Sequence, residues 1–291
     1  MNRRDFVQAG AALGTLPLLS RPGLRGGDDP RGGSDTGRLK QSVARWYFSK
    51  RSVDETVRIA KSLGMQAVDL LEPDEWATAR AHGLICAMGY APAGDPKTRL
   101  TVGWNREANH AWLLPGYRRG LELAAAAGVP NIICFSGSRG GLGDDAGLAT
   151  CAAGLRQLMP DAERLGVTVC MELLNSKVDH PDYQCDHTTW GAALVDRVAS
   201  TRFKLLYDIY HMQIMEGDVI RTIRQQHAKI AHYHVGGVPG RHEPDNSQEL
   251  YYPAVMRALA DVGFTGYVAQ EFIPTRDPVT ALADAVRICR V

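Results

Sequence analysis

From residue 39 onward, short apolar runs alternate with amphipathic stretches of helical period, and the alternation repeats eight times. The runs Ser42–Phe48, Ala67–Leu71, Leu84–Met88, Ile132–Phe135, Thr168–Glu172, Lys204–Asp208, Ile230–Val235 and Tyr267–Phe272 predict strands. The stretches near 52–63, 74–82, 105–127, 145–165, 186–199, 217–228, 252–262 and 277–289 predict helices. Gly64, Gly83, Gly128, Gly166 and Gly263 fall where a helix should end, the place at which glycine supplies a left-handed cap. Eight βα units over about 250 residues have the size and rhythm of an α/β fold of the (β/α)8 TIM-barrel kind. The rival, an open doubly wound sheet, would carry a glycine-rich phosphate turn after its first strand. Here Phe48 is followed by Ser49-Lys50-Arg51-Ser52, without glycine.

Residues 1–38 stand outside this rhythm. Arg3 and Arg4, then Asp5, Phe6 and Val7, precede an uncharged run from Ala9 to Ser20 that Gly10, Gly14 and Pro17 dilute. This is the pattern of a twin-arginine export signal, read by a receptor, and it predicts a periplasmic protein. Between residues 21 and 38, Gly, Pro, Arg and Asp make up 15 of 18 positions, a composition too poor in apolar surface to order itself. The segment reads as a linker. It holds no clean small-x-small cleavage site, so the chain is either cut somewhere within it or stays tethered by its N-terminus. Two parts result: signal and linker over 1–38, and a barrel domain over 39–291.

Charge narrows the function. Thirty-three Lys and Arg balance 32 Asp and Glu, leaving +1, so no global field favours nucleic acid or an anionic membrane surface. No run reaches the roughly 18 apolar residues of a membrane span. The six cysteines would suggest disulfides in an oxidising compartment, but five sit in apolar or helical runs as small buried hydrophobes, and only Cys185 falls in a polar stretch. Free thiols are expected, and twin-arginine substrates, which cross the membrane already folded, could keep them.

Barrel enzymes carry their chemistry at the C-terminal ends of the strands. Four consecutive apolar runs end there in a polar residue: Glu172, Asp208, His234 and Glu271. They are spaced by about one βα unit each, so their side chains should converge on one rim. A single strand-end carboxylate has ordinary uses, capping a helix or pairing with Lys or Arg, but four in register are hard to reconcile with those. Three carboxylates and one imidazole suit Mn²⁺, Mg²⁺ or a similar divalent ion better than a thiolate-loving metal. His211, three residues past Asp208, can bend over the same rim. The loop Gly236–Pro244 brings Arg241, His242 and Glu243 to the mouth, where Arg241 could hold a substrate oxygen through its donor fork. The Gly-rich stretch Ser136–Gly143 lacks the Gly-Lys-Ser/Thr ending of a phosphate loop and reads as a mobile mouth loop.

The strings MELLN (171–175), YDIYHMQ (207–213), HYHVGGVPGRHEP (232–244) and GYVAQEF (266–272) occur in order at the expected strands. They resemble the sugar phosphate isomerase/epimerase superfamily of xylose isomerase-like TIM barrels, nearest to hydroxypyruvate isomerase-like proteins, with ketose 3-epimerases as cousins. The resemblance implies that Glu172, Asp208, His234 and Glu271 bind one divalent metal ion. It also implies that Glu172 and Glu271 form an acid/base pair and that His211 and Arg241 contact substrate. Hydroxypyruvate isomerases commonly carry Gln where this chain has His234, whereas the epimerases carry His.

Such a site polarises a carbonyl beside a hydroxyl-bearing carbon, lets one glutamate remove the C–H proton, and returns a proton to the neighbouring carbon or the opposite face through a cis-enediolate. With no phosphate cradle, the expected partner is an unphosphorylated sugar, keto-sugar or small hydroxy-keto acid. Two further readings stay open: a metal-dependent lyase acting on 3-oxo-glycosides, which a periplasmic address suits, and a sugar-binding protein on an inactive barrel. Endonuclease action on abasic DNA would want a basic groove and a richer ligand set. A homo-oligomer is compatible with all of these.

Overall fold

A computed structural model of the chain describes residues 37–291; the twin-arginine segment and nearly all of the linker lie outside the described residues. The strands are β1 (Lys40–Ala44), β2 (Ala67–Asp69), β3 (Ile85–Cys86), β4 (Asn131–Cys134), β5 (Thr168–Glu172), β6 (Phe203–Asp208), β7 (Ile230–Val235) and β8 (Tyr267–Gln270). All pair in parallel, in the order β3-β2-β1-β8-β7-β6-β5-β4. Gly89 joins the two ends. It bridges Leu71 on one side and Ile132 on the other, receiving Ile133 N–H on its carbonyl at 3.0 Å and donating to the Asn131 carbonyl at 2.9 Å. The chain therefore closes into the expected TIM barrel, with a β-carbon at Gly89 excluded because it would lie 2.7 Å from the buried Trp76 ring.

Ten helices surround the strands: α1 (Val53–Ser62), α2 (Trp76–Ala81), α3 (Glu107–Ala127), α4 (Asp144–Arg156), α5 (Met159–Leu165), α6 (Thr188–Val198), α7 (Ile209–Met215), α8 (Val219–Gln226), α9 (Tyr252–Asp261) and α10 (Pro278–Ile288). Their apolar faces join the outward side chains of the strands in one core. Local chemistry fixes the boundaries. Ser52 and Glu55 form a reciprocal capping box at the start of α1, and Gly128 and Gly166 end α3 and α5 at φ 74° and 72°. The single helix expected over 145–165 is two, because Pro160 has no N–H to continue the ladder and opens α5 instead.

Two further departures matter for the site. The first strand starts earlier and stops at Ala44, and Arg45–Phe48 form a 3-10 turn. In that turn Tyr47 and Phe48 are both buried. The helix α7 follows β6 without a loop and was not expected. All six cysteines are free and buried, including Cys185, whose N–H is held by Ser136 Oγ at 3.0 Å. Among the described residues no helix is long and apolar enough to cross a membrane.

Candidate active site

Glu172 ends β5, Asp208 ends β6, His234 lies one residue from the end of β7, and Glu271 follows the last residue of β8. Strand alternation turns all four inward at the same level of the barrel. One ligand atom from each lies within 4.8 Å of the other three, and all four side chains are buried. His234 Nδ1 is 2.6 Å from Glu271 Oε2 and 3.4 Å from Glu172 Oε1. The quartet is thus brought together as expected.

His211 and Arg241 reach the same point. Asp208 Oδ1 caps α7 by accepting the His211 N–H at 3.2 Å, so one carboxylate both faces the site and places the imidazole. Arg241, in the left-handed region at φ 58°, donates from Nη2 to Asp208 Oδ2 at 2.6 Å and to Glu271. Its guanidinium lies between the rings of Tyr210 and Trp46, 5.0 and 5.8 Å from their centroids. Its other terminal nitrogen is 2.6 Å from His211 Nε2, while Asn175 Nδ2 is 2.6 Å from His211 Nδ1. The Asn175 amide cannot be reversed at no cost, because its oxygen already accepts from the N–H groups of Val178 and Asp179. Burial, then the Arg241 charge, hold His211 well below the usual imidazole range, and a neutral imidazole accepts at one nitrogen only. Only one of the two donors can therefore be bonded at a time.

Electrostatically the site is a buried anionic cup. For Glu271 burial opposes ionisation, but Arg241, His234 and a hydrogen bond from Trp46 Nε1 at 2.7 Å outweigh it and hold the carboxyl well below its usual range. At Asp208 the balance falls the other way: burial pushes it up to about 7, Arg241 and His234 opposing and Glu271 adding to the rise. Burial disfavours charge on His234 as well, yet Glu271 and Asp69 carry its pKa well above the ordinary value. Three carboxylates against one permanent cation leave the cup short of positive charge. Oxygen donors with one imidazole, both of whose nitrogens lack a hydrogen bond among the described residues, fit a divalent ion.

Above the cup lies a cavity of about 260 Å³. Besides Glu172, His211, Arg241 and Glu271, its walls include Trp46, Tyr90, Phe135 and His180. His180 is half-buried, and burial lowers its pKa. Sequence reasoning missed Trp46, Asn175 and His180. Trp46 was hidden by the assumption of a continuous strand, and His180 by an aperiodic loop.

Two expectations need correction. His242 and Glu243 do not line the cavity. Glu243 is buried and accepts from Thr275 N and Oγ1 at 2.8 and 3.0 Å, and His242 Nδ1 contacts the Ile273 carbonyl at 2.9 Å. Both fasten the Arg241 loop to the segment after β8, their directions set by the left-handed turn at Arg241 and by the partners Ile273 and Thr275. The Gly-rich loop is also tied down: Arg139 forks onto Asp186 and reaches Asp144, and Gly140 N–H donates to Asp182 Oδ2 at 2.7 Å.

Residues 57–290 match the family model of xylose isomerase-like TIM barrels. A 2-oxo-tetronate isomerase of Cupriavidus necator is 32% identical over 250 residues, which span 81% of this chain and 93% of that protein. A human protein provisionally named hydroxypyruvate isomerase is 29% identical, over 82% of this chain and 90% of its own length. Among solved structures, a family 2 AP endonuclease from Brucella melitensis superposes with a TM-score of 0.75 at 27% identity, covering 84% of this chain and 97% of that one.

Proposed function

The chain belongs to the xylose isomerase-like TIM-barrel family, and on that premise we propose that it is an isomerase or epimerase of small hydroxy-carbonyl compounds that moves a proton between carbons beside a divalent metal ion. The observation that carries the reading is the convergence of Glu172, Asp208, His234 and Glu271 under one small cavity. The likeness to 2-oxo-tetronate and hydroxypyruvate isomerases favours a short hydroxy-keto acid or keto-sugar as substrate. The cavity, at the lower edge of usual ligand pockets, supports a small molecule.

Glu172, Asp208, His234 and Glu271 would hold the ion, which when bound supplies polarisation of a carbonyl oxygen and acidifies the adjacent C–H. Glu271, fixed by Trp46 and Arg241 and kept ionised, is placed to take a proton from carbon. Glu172, which faces the same His234 Nδ1 from β5, is placed to return one. His211 and Arg241 orient the substrate's oxygens. Trp46, Tyr90 and Phe135 reduce access of bulk water to the exchanging proton. The first 38 residues, read as an export signal and linker, make the enzyme periplasmic, and 39–291 its catalytic domain.

Proton NMR in D₂O with 2-oxo-tetronates, hydroxypyruvate, ketoses and 3-oxo-glycosides tests the reading. Deuterium should enter at carbon, stop on chelation and resume with Mn²⁺ or Mg²⁺. Glu271→Gln and Glu172→Gln should each slow the exchange roughly 10²- to 10⁴-fold. Release of a glycosidic substituent would make the protein a lyase, and binding without exchange would make it an inactive barrel.

A further inference from the structure

One residue-pair spacing below the cup, β7 turns a second histidine inward. His232 and His234 share a face of the strand, their ring centroids 5.2 Å apart and at 88° to each other. Facing them is Asp69, the last residue of β2. All three side chains are completely buried. Asp69 Oδ2 is 2.5 Å from His232 Nε2 and 3.8 Å from His234 Nε2. His234 thus has two different edges. Nδ1 looks up at Glu172 and Glu271, and Nε2 looks down at Asp69.

A fully buried carboxylate is too costly to be incidental. A second ion held by Asp69, His232 and His234 is one use for it. Metal bonds of about 2.0–2.2 Å would, however, keep two ligand atoms about 3 Å or more apart, whereas Asp69 Oδ2 and His232 Nε2 lie 2.5 Å apart, too close for two ligands of one ion. The other use is orientation. An imidazole that gives its Nδ1 lone pair to a metal must carry its hydrogen on Nε2, and in a dry interior that hydrogen needs an acceptor.

We propose that Asp69 is a positioning residue. Held in place by His232, it accepts from His234 Nε2–H and so fixes the ring orientation and tautomer in which Nδ1 faces the carboxylate cup. The proposal rests on the metal reading above and adds a part that the four ligands do not contain. The 3.8 Å separation closes by a small rotation of the carboxylate, neither of whose oxygens, like His234 Nε2, meets full hydrogen-bond geometry among the described residues.

The test uses the full chain and Zn²⁺. In the parent, one Zn²⁺ should bind per chain, and ¹⁵N NMR of histidine-labelled protein should show His234 metal-bound at Nδ1 with a slowly exchanging hydrogen on Nε2. Asp69→Asn should weaken Zn²⁺ roughly 10- to 100-fold, with circular dichroism unchanged, and remove or broaden that hydrogen's signal. His232→Gln should weaken Zn²⁺ in the same direction by a smaller factor, and serves if Asp69→Asn fails to fold. Two Zn²⁺ per chain, His234 bound through Nε2, or parental affinity and an unaltered ring signal in both variants would overturn the proposal while leaving the metal reading standing. A parent that binds no divalent ion at all would end both.

Discussion

Arg241 Nη2 donates to Asp208 Oδ2 at 2.6 Å. The guanidinium proposed above to orient substrate is thus also bound to the cup. It is the cation that the carboxylates of the cup hold between them, and it crowds the position where a divalent ion would sit.

Removing it should separate two effects. In Arg241→Ala, a divalent ion should bind at least as tightly as in the parent, since one competing positive charge is gone. At the same time kcat/KM should fall by about 2 kcal/mol, roughly 30-fold, the cost of one charge-assisted hydrogen bond to substrate. Calorimetric titration with Mn²⁺ beside steady-state kinetics checks both. A variant that loses the ion would show that Arg241 supports the ligands instead of competing for them.

Glycine is required at position 89 by space. A methyl group there would meet Trp76 at 2.7 Å, against a ring already held by its indole N–H to the Leu71 carbonyl at 3.0 Å. Gly89→Ala should therefore destabilise the protein by about 1–3 kcal/mol through overpacking. Denaturant unfolding measures this, and a change below 0.5 kcal/mol, on the order of a neutral surface substitution, would show that the Trp76 ring gives way.

Burial pushes all six thiols up, Cys289 to about 12 and Cys86, Cys134 and Cys185 well above the ordinary value. Thiolate is the reactive form. At pH 8 iodoacetamide should label none of the six in the folded protein and all six in guanidinium, read by intact mass. Partial labelling in denaturant without reductant would reveal a disulfide.

Export is tested outside the barrel. Residues 1–40 fused to a reporter that must fold before transport should carry it to the periplasm, and Arg3→Lys with Arg4→Lys should stop it. Equal transport by the doubly substituted fusion would remove the twin-arginine reading.

The barrel and its ligand quartet were legible for one reason: strands β5 to β8 are buried runs of regular length, so the polar residue that ends each one stands out. What escaped notice did so for physical reasons of its own. The seven residues of α7 make two turns, too few to display a period, and only the Asp208 cap announces the helix. Asp69 looked like the middle of a strand running to Leu71, when it is the end of β2. Glu243 and His242 are polar and near the mouth, which sequence reads correctly, but the direction of a side chain in a loop depends on Arg241 at φ 58° and on the partners Thr275 and Ile273.

The four candidate ligands occupy one contiguous arc of the wall, β5 through β8, in which neighbours share at least four paired residues. On the far side β2 and β3 share two, and β4 is reached through the bridge at Gly89 and a bond from Asn131 Nδ2 to the Ala87 carbonyl at 2.9 Å. If the wall breathes, it should part along that thin seam first, so the amides of Gly89 and Ile133 should exchange with solvent sooner than those of Leu173 or Glu271. The arc from β5 to β8 can then stay rigid while the junction between β3 and β4 opens, and remodelling of the barrel is best confined to that junction, clear of Asp69 at the end of β2.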